Sequence, residues 1–204
     1  MGIQAQFNTL VRARWWESVD SMQGASDFLD AVSQPEQLSA LLDAVTASEV
    51  LPGLSERLRS LDKIVLLDDK ATKTRLRLHH FKEGTYDLMH NHKWPFYSKI
   101  LKGHLVQELF DNLDAAAPQF VSSFATNSSY FLGPGLFHKL RAKQETITLI
   151  LRGPDLIQSA KWKDVNSGDV WNHVGGKSDD KKVDFDANGL RGAISNVRSA
   201  LGHQ

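Results

Sequence analysis

The stretch His90-Asn91-His92-Lys93-Trp94-Pro95-Phe96-Tyr97-Ser98-Lys99-Ile100-Leu101-Lys102-Gly103 decides how the rest of the chain is read. Two histidines stand one residue apart, directly ahead of a run of strand-forming residues. In a strand, residues i and i+2 point to the same face, so both imidazoles can converge on one ion from adjacent rungs. A third ligand has to come from another strand. His138 is the candidate, because it follows the tight turn Gly133-Pro134-Gly135 and opens a strand of its own. A triad of neutral imidazoles with open positions suits Fe(II), Zn, Ni, Cu or Mn. Zero cysteines exclude thiolate ligands, disulfides and a cysteine nucleophile, so any metal here takes nitrogen or oxygen donors.

Working outward, the segments Lys63–Leu67, Thr74–Phe81, Phe96–Leu101, His104–Phe110, Gln119–Ala125, Ser129–Leu132, Glu145–Leu151 and Leu156–Trp162 are each of strand length, with turn residues between several of them. Eight short strands in about 100 residues predict a mainly β fold, an antiparallel barrel or jelly roll. The first 60 residues read as helix instead: Phe7, Leu10, Val11 and Trp15, then Leu38, Leu41, Leu42 and Val45, fall at helical spacing, and a short helix is expected over Leu54–Leu61. Asn188–Leu201 is amphipathic through Leu190, Ile194, Val197 and Leu201 and is expected to pack on the barrel. The 204 residues are therefore read as one domain, with a helical region over 1–62, the barrel over 63–175 and a tail with its helix over 176–204.

Lys plus Arg and Asp plus Glu number 24 each, so no global charge argues for nucleic acid or an anionic membrane. No run of 18 apolar residues and no leader-like apolar core occur, and a cytoplasmic, soluble protein is the expectation.

Gly84, His90, His92 and Gly103, followed by Pro134-Gly135-x-x-His138, fit the spacing and order of the two cupin motifs. The chain resembles the three-histidine cupins, because Phe96 stands where cupins normally carry a glutamate ligand. Within them, His90-Asn91-His92 and Ser98-Lys99-Ile100-Leu101-Lys102-Gly103 are similar to the corresponding stretch of the thiol dioxygenases such as cysteine dioxygenase, over about residues 84–165. That resemblance implies Fe(II), dioxygen and a small carboxylate-bearing substrate. It also implies a Ser-His-Tyr relay on a late strand, and here the matching residues are Thr148, Ile150 and Arg152. The relay histidine and tyrosine are gone.

Alternation then assigns faces. Phe96, Ser98 and Ile100 point inward with the histidines, and Tyr97, Lys99 and Leu101 outward. Thr146, Thr148, Ile150 and Arg152 share one face. Arg152, Thr148 and Ser98 are the candidate catalytic side chains; Arg152, Phe96 and Tyr97 are candidate substrate contacts. Arg152 either offers a bidentate grip to a carboxylate inside the cavity or ends its strand paired with Asp155. Arg75 and Arg77 alternate with Leu76 and Leu78, so that face is basic. A solvated outer face is the first expectation, and the resemblance implies the other one, an arginine on the substrate carboxylate. His79 falls on the arginine face and His80 on the leucine face. His173 and His203 have no partner spacing, and Asp164–Asp169 reads as a turn.

Three functions follow: an oxygenase with Fe(II) on His90, His92 and His138; a metal-containing module that binds or senses a metabolite without turning it over; and a Zn or Ni isomerase or lyase. The partners expected are a small molecule and dioxygen, neither nucleic acid nor membrane, and a second copy paired through sheet edges.

Overall fold

The computed structural model describes residues 1–58, 61–85, 88–173 and 183–202. Its helices are α1 (Ile3–Arg12), α2 (Val19–Val32), α3 (Pro35–Ala47), α4 (Leu51–Leu54) and α5 (Ala187–Leu201). Strands β1 (Glu56–Arg57), β2 (Leu61–Asp69), β3 (Thr74–Phe81), β4 (Gly84–Thr85), β5 (Leu88–His90), β6 (Phe96–Lys102) and β7 (His104–Phe110) precede β8 (Phe120–Ala125), β9 (Ser129–Leu132), β10 (Phe137–Ala142), β11 (Thr146–Arg152), β12 (Ala160–Asp164), β13 (Val170–His173) and β14 (Val183–Asp184). Every pairing is antiparallel. One sheet runs β14-β1-β2-β3-β11-β6-β9, and the other runs β13-β12-β5-β10-β7-β8 with β4 beside β10. The two sheets face each other without closing into a barrel, which is the jelly-roll form of the expected architecture.

Local sequence explains the elements. The Ser18 side chain accepts from Ser21 N and Ser21 closes the reciprocal bond, a capping box that starts α2. Pro35 at the first turn of α3 needs no amide hydrogen there. Asp186 caps α5 through Gly189 N, and Gly202 ends it in a left-handed conformation. At the β6–β7 hairpin, Gly103 has φ +93°, and a β-carbon there would collide with Glu145 and Thr146. The helix expected over Leu54–Leu61 is instead α4 followed by β1 and the start of β2. Pro52 seats α4, and Glu56–Arg57 pairs with Asp62 and Lys63. A two-residue strand carries no alternation to read.

The larger core lies outside the sandwich. Leu76 and Leu78 of β3, Ile147, Leu149 and Leu151 of β11, and Ile64 and Leu66 of β2 meet Phe7, Trp15, Phe28, Leu29, Leu38 and Leu42 of the N-terminal region. Leu190, Ile194 and Val197 of α5 join them as expected, each contributing about 1.5–3 kcal/mol of burial. Lys99, on the same outer face, bonds Asp30 of α2 at 2.5 Å and ties the helical layer to the sheet. Among the described residues no helix is long and apolar enough to cross a membrane.

Candidate metal centre

Three imidazoles from the second sheet meet between the sheets. His90 ends β5, His92 follows it, and His138 sits on β10 directly opposite His90 in register. Nε2 of His138 lies 3.0 Å from Nε2 of His92 and 3.2 Å from Nε2 of His90. The three ligand atoms all fall within 4.8 Å of one another. The residue between the first two histidines fixes them: Asn91 Oδ1 accepts from Lys161 N at 2.6 Å, while its own amide N donates to Lys161 O at 3.2 Å. The glycine turn is tied to the same segment, since Gly135 N donates to His92 O at 3.2 Å.

The rings are oriented from behind. His90 Nδ1 lies 3.2 Å from Leu88 O, an acceptor only, so Nδ1 carries the proton and Nε2 is left with its lone pair. The Gln107 amide nitrogen stands 3.0 Å from His138 Nδ1, and the flip that exchanges the amide's nitrogen and oxygen would bring an acceptor to Nδ1–H. Burial pushes His92 and His138 well below the usual imidazole range, with the neighbouring histidines acting the same way, so both are neutral as ligands must be. Trp162 stacks on His90 at 4.1 Å and 7°. Phe96 packs T-shaped against His92 at 5.1 Å between ring centres.

This donor set fits a divalent ion. Where both nitrogens are deprotonated, contacts of 3.0 and 3.2 Å repel unless a cation lies between them. Two nitrogens about 2.1 Å from one ion are roughly 3.0 Å apart when cis on an octahedron and roughly 3.4 Å apart on a tetrahedron. The widest pair must close to no more than about 4.2 Å, twice that bond length, a movement of a few tenths of an ångström.

The histidines form one wall of a cavity of about 420 Å³. The opposite wall is the inner face of the first sheet, and it carries the surprise. Arg75, Arg77 and His79 face this cavity, not solvent. The leucines alternating with them are claimed by the helical core, and period-2 geometry turns the arginines inward. The cross-strand pairs are Arg75 with Arg152, Arg77 with Ile150 and His79 with Thr148.

Arg152 combines both expectations: it lines the cavity, its guanidinium lies 3.7 Å over the Trp94 ring, and it bonds Asp155 at 2.9 Å. Thr148 is fully buried against the cavity with no hydrogen-bond partner for its hydroxyl. Ser98 points inward but lies beneath the lining, opposite Tyr130. Burial pushes the Tyr130 phenol up to about 12, with Ser98 drawing it the other way. Tyr97 corrects a sequence expectation: it faces the helical core beside Phe131 at 6.5 Å and does not reach the cavity. Its odd place in the alternation puts it on the outer face. His80 is on the opposite face from His79, bonded to Glu145 at 2.9 Å. Asp164–Asp169 is a turn, with Asp164 Oδ1 accepting from Asn166 N and Ser167 N. His203 lies outside the described residues.

Several lining residues carried no sequence signal as site residues. Trp162 reaches His90 through the β5–β12 pairing, 72 positions away along the chain. Trp94, three residues before the resembling strand begins its second half, could have been suspected from its neighbours. His79 is half-buried, its Nε2 atom is buried without a partner among the described residues, and its pKa is held well below the usual range by desolvation, then by Lys63 and Arg77.

No family profile matches the chain, and no curated protein matches it. Solved structures are similar in fold. An RmlC-like cupin from Shewanella frigidimarina matches at 15% identity and TM-score 0.38, over 47% of this chain and 77% of that one. A cupin superfamily protein from Desulfitobacterium hafniense matches at 14% and 0.38, over 48% and 82%. KdgF from a Halomonas species matches at 11% and 0.37, over 52% and 85%.

Proposed function

We propose that the chain is a mononuclear metal-dependent cupin oxygenase acting on a carboxylate-bearing small molecule. The observation that carries this reading is the convergence of three imidazoles, two of which have their far nitrogens engaged, His90 by Leu88 O and His138 by Gln107. His90, His92 and His138 would hold the ion, and Fe(II) there would supply open positions for dioxygen and substrate. The spacings of 3.0 and 3.2 Å about His138 bring nitrogen donors close enough to share one divalent ion.

The protein's own contribution is placement and exclusion. Arg77 and Arg152 make the wall opposite the imidazoles cationic, which favours an anionic substrate. Trp94, Phe96 and Trp162 shield the site from water. With no acid or base at Ile150, the position where the thiol dioxygenases carry a histidine, proton handling passes to His79. It stands opposite Thr148 on the neighbouring strand, and its unpartnered Nε2 offers bound substrate a hydrogen-bonding group.

The test has two arms. Metal analysis of protein purified without added metal is expected to find about one equivalent of iron, and oxygen uptake is expected with at least one member of a panel of small organic acids. Zinc or nickel without iron would move the reading to the isomerase or lyase class. Iron with no oxygen uptake on any acid would leave a metal-containing binding module.

A further inference from the structure

The cavity's charge is unlike that of the whole chain. Lys plus Arg equals Asp plus Glu overall, yet among the described residues six cationic side chains line this cavity, Lys63, Lys73, Arg75, Arg77, Lys93 and Arg152, against two carboxylates, Glu56 and Asp155. How those charges are paired is the informative part. Arg75 is answered by Asp68 at 2.5 Å and Lys63 by Glu56 at 3.8 Å. Three cations then share one carboxylate: Asp155 takes Arg152 at 2.9 Å, Lys93 at 3.1 Å and Lys73 at 3.3 Å. Arg77 has neither a hydrogen bond nor an ion pair among the described residues, although it is only 8% exposed, and its Nε is fully buried.

This arrangement is costly without a ligand. Like charges directly across a strand pair repel, and Arg75 stands directly opposite Arg152. Arg77 lies diagonally from Arg152 on the same face, a Cα separation of about 7–8 Å, and each raises the cost of the other's charge. A buried guanidinium with no partner is among the most expensive groups that a fold can keep. The excess is also distributed in two places. One is inside, at Arg77; the other is at the rim, where Lys73 is 64% exposed and Lys93, Asp155 and Arg152 lead inward from it.

We propose that the cavity's ligand is a dianion with its two acidic groups at opposite ends, one gripped by Arg77 and the other by the Lys73–Lys93–Arg152 cluster around Asp155. The span between them faces the imidazole wall. This deepens the reading of the cavity as the substrate site of the metal centre and rests on it. The volume of about 420 Å³ accommodates a molecule larger than a three-carbon acid, and the apolar lining of Leu58, Leu61, Phe81, Leu140 and Ile150 receives its body.

The experiment titrates chelator-treated full-length protein by calorimetry at constant ionic strength. Its probes are butyrate, glutarate, adipate and inorganic phosphate. Glutarate or adipate is expected to bind at least tenfold more tightly than butyrate, the factor that about 1.4 kcal/mol of one additional charge-assisted contact gives. Arg77→Gln is expected to reduce that preference to about the twofold statistical advantage of a molecule with two ends, and Lys93→Gln, at the rim, to weaken it separately. Arg77→Lys keeps the charge and reports on the site if Arg77→Gln does not fold. Equal binding of butyrate and both dicarboxylates overturns the proposal. So does phosphate binding more tightly than either dicarboxylate, because one compact anion would then satisfy the site. A preference unchanged in both Arg77 variants overturns the assignment of Arg77. The protein is metal-free throughout, so an absence of iron in the untreated protein would refute the oxygenase reading and leave the dianion result standing.

Discussion

Replacing Arg77 by methionine is expected to make the ligand-free protein more stable, although it deletes a side chain from the candidate site. Burial, and after it repulsion from Arg152, lowers the Arg77 guanidinium to about 10, with Glu56 opposing. The sign is that of a cation bound less tightly by the folded state. At every pH below about 10 the folded protein carries the full penalty, and only above it does loss of the proton relieve the strain. At about 1.4 kcal/mol per pH unit the penalty is on the order of 3 kcal/mol. Methionine has a similar volume and no charge, and with some loss of packing the gain is about 1–3 kcal/mol. With a urea slope of about 2 kcal/mol/M, the midpoint moves up by roughly 0.5–1.5 M at pH 7. The measurement is urea unfolding of chelator-treated protein in chloride buffer without polyvalent anions, repeated in glutarate, where wild type is expected to recover the difference. A lower or unchanged midpoint for Arg77→Met in chloride would show that the guanidinium is already satisfied, and the reasoning from its isolation would fail.

Three further outcomes are expected. His138→Ala removes the ligand that bridges His90 and His92, and bound metal measured by mass spectrometry falls below a tenth of wild type while the far-ultraviolet circular dichroism is retained. Gln107→Leu leaves all three ligands in place but frees the His138 ring, and metal affinity measured by chelator competition drops about 10–100-fold. Glu145 is held below the usual carboxylate range by its hydrogen bonds to His80 and Lys102, so it stabilises the fold above the unfolded carboxylate value and loses that contribution as pH falls. In urea titrations between pH 7 and 3, Glu145→Gln therefore has the lower midpoint at pH 7 and converges with wild type in acid. Parallel curves would remove Glu145 from the acid response.

The period-2 logic of strands made much of this site readable in sequence. His-x-His gave the two adjacent ligands, and the Gly133–Gly135 turn before His138 gave the third, because a turn and a strand start are local signals. Alternation also put Arg75, Arg77 and His79 on one face and Leu76 and Leu78 on the other. It could not say which face was inside. Leucines ordinarily mark the interior, but here they mark the side that the helices cover. What no local pattern reports is register between distant segments. The stacking of Trp162 on His90, the Gln107 amide behind His138, the pairing of His79 with Thr148 and the grip of Asp155 on Lys73 all depend on pairings across tens of residues. The strands at Glu56–Arg57 and Gly84–Thr85 are too short to carry a period at all.

That inversion of the sheet's faces has an energetic consequence. A jelly roll whose only core lay between its sheets would need that space filled with apolar side chains, and a buried, unpaired arginine would threaten the fold. Here the helices α1, α2, α3 and α5 take over the outer faces of β2, β3 and β11 and build a dry cluster that includes Trp15, Phe7 and Leu29 at zero exposure. Large stability is therefore located outside the sandwich, while within it Phe81, Phe96, Ile100 and Leu105 form a smaller cluster beside the cavity. The space between the sheets is left to imidazoles on one wall and guanidiniums on the other, groups that gain free energy as a cation binds the one and an anion the other. The N-terminal helices, packed on the outer face of the sheet, are in this sense what allows the interior to stay polar. Trimming their contact, for instance with Leu29→Ala at about 2–5 kcal/mol, tests this directly: the cost is to appear in urea unfolding, and metal stoichiometry of the folded protein is to stay the same. If the truncated core instead lost metal while remaining folded, the two faces of the sheet would be coupled, and the separation argued from their packing would be wrong.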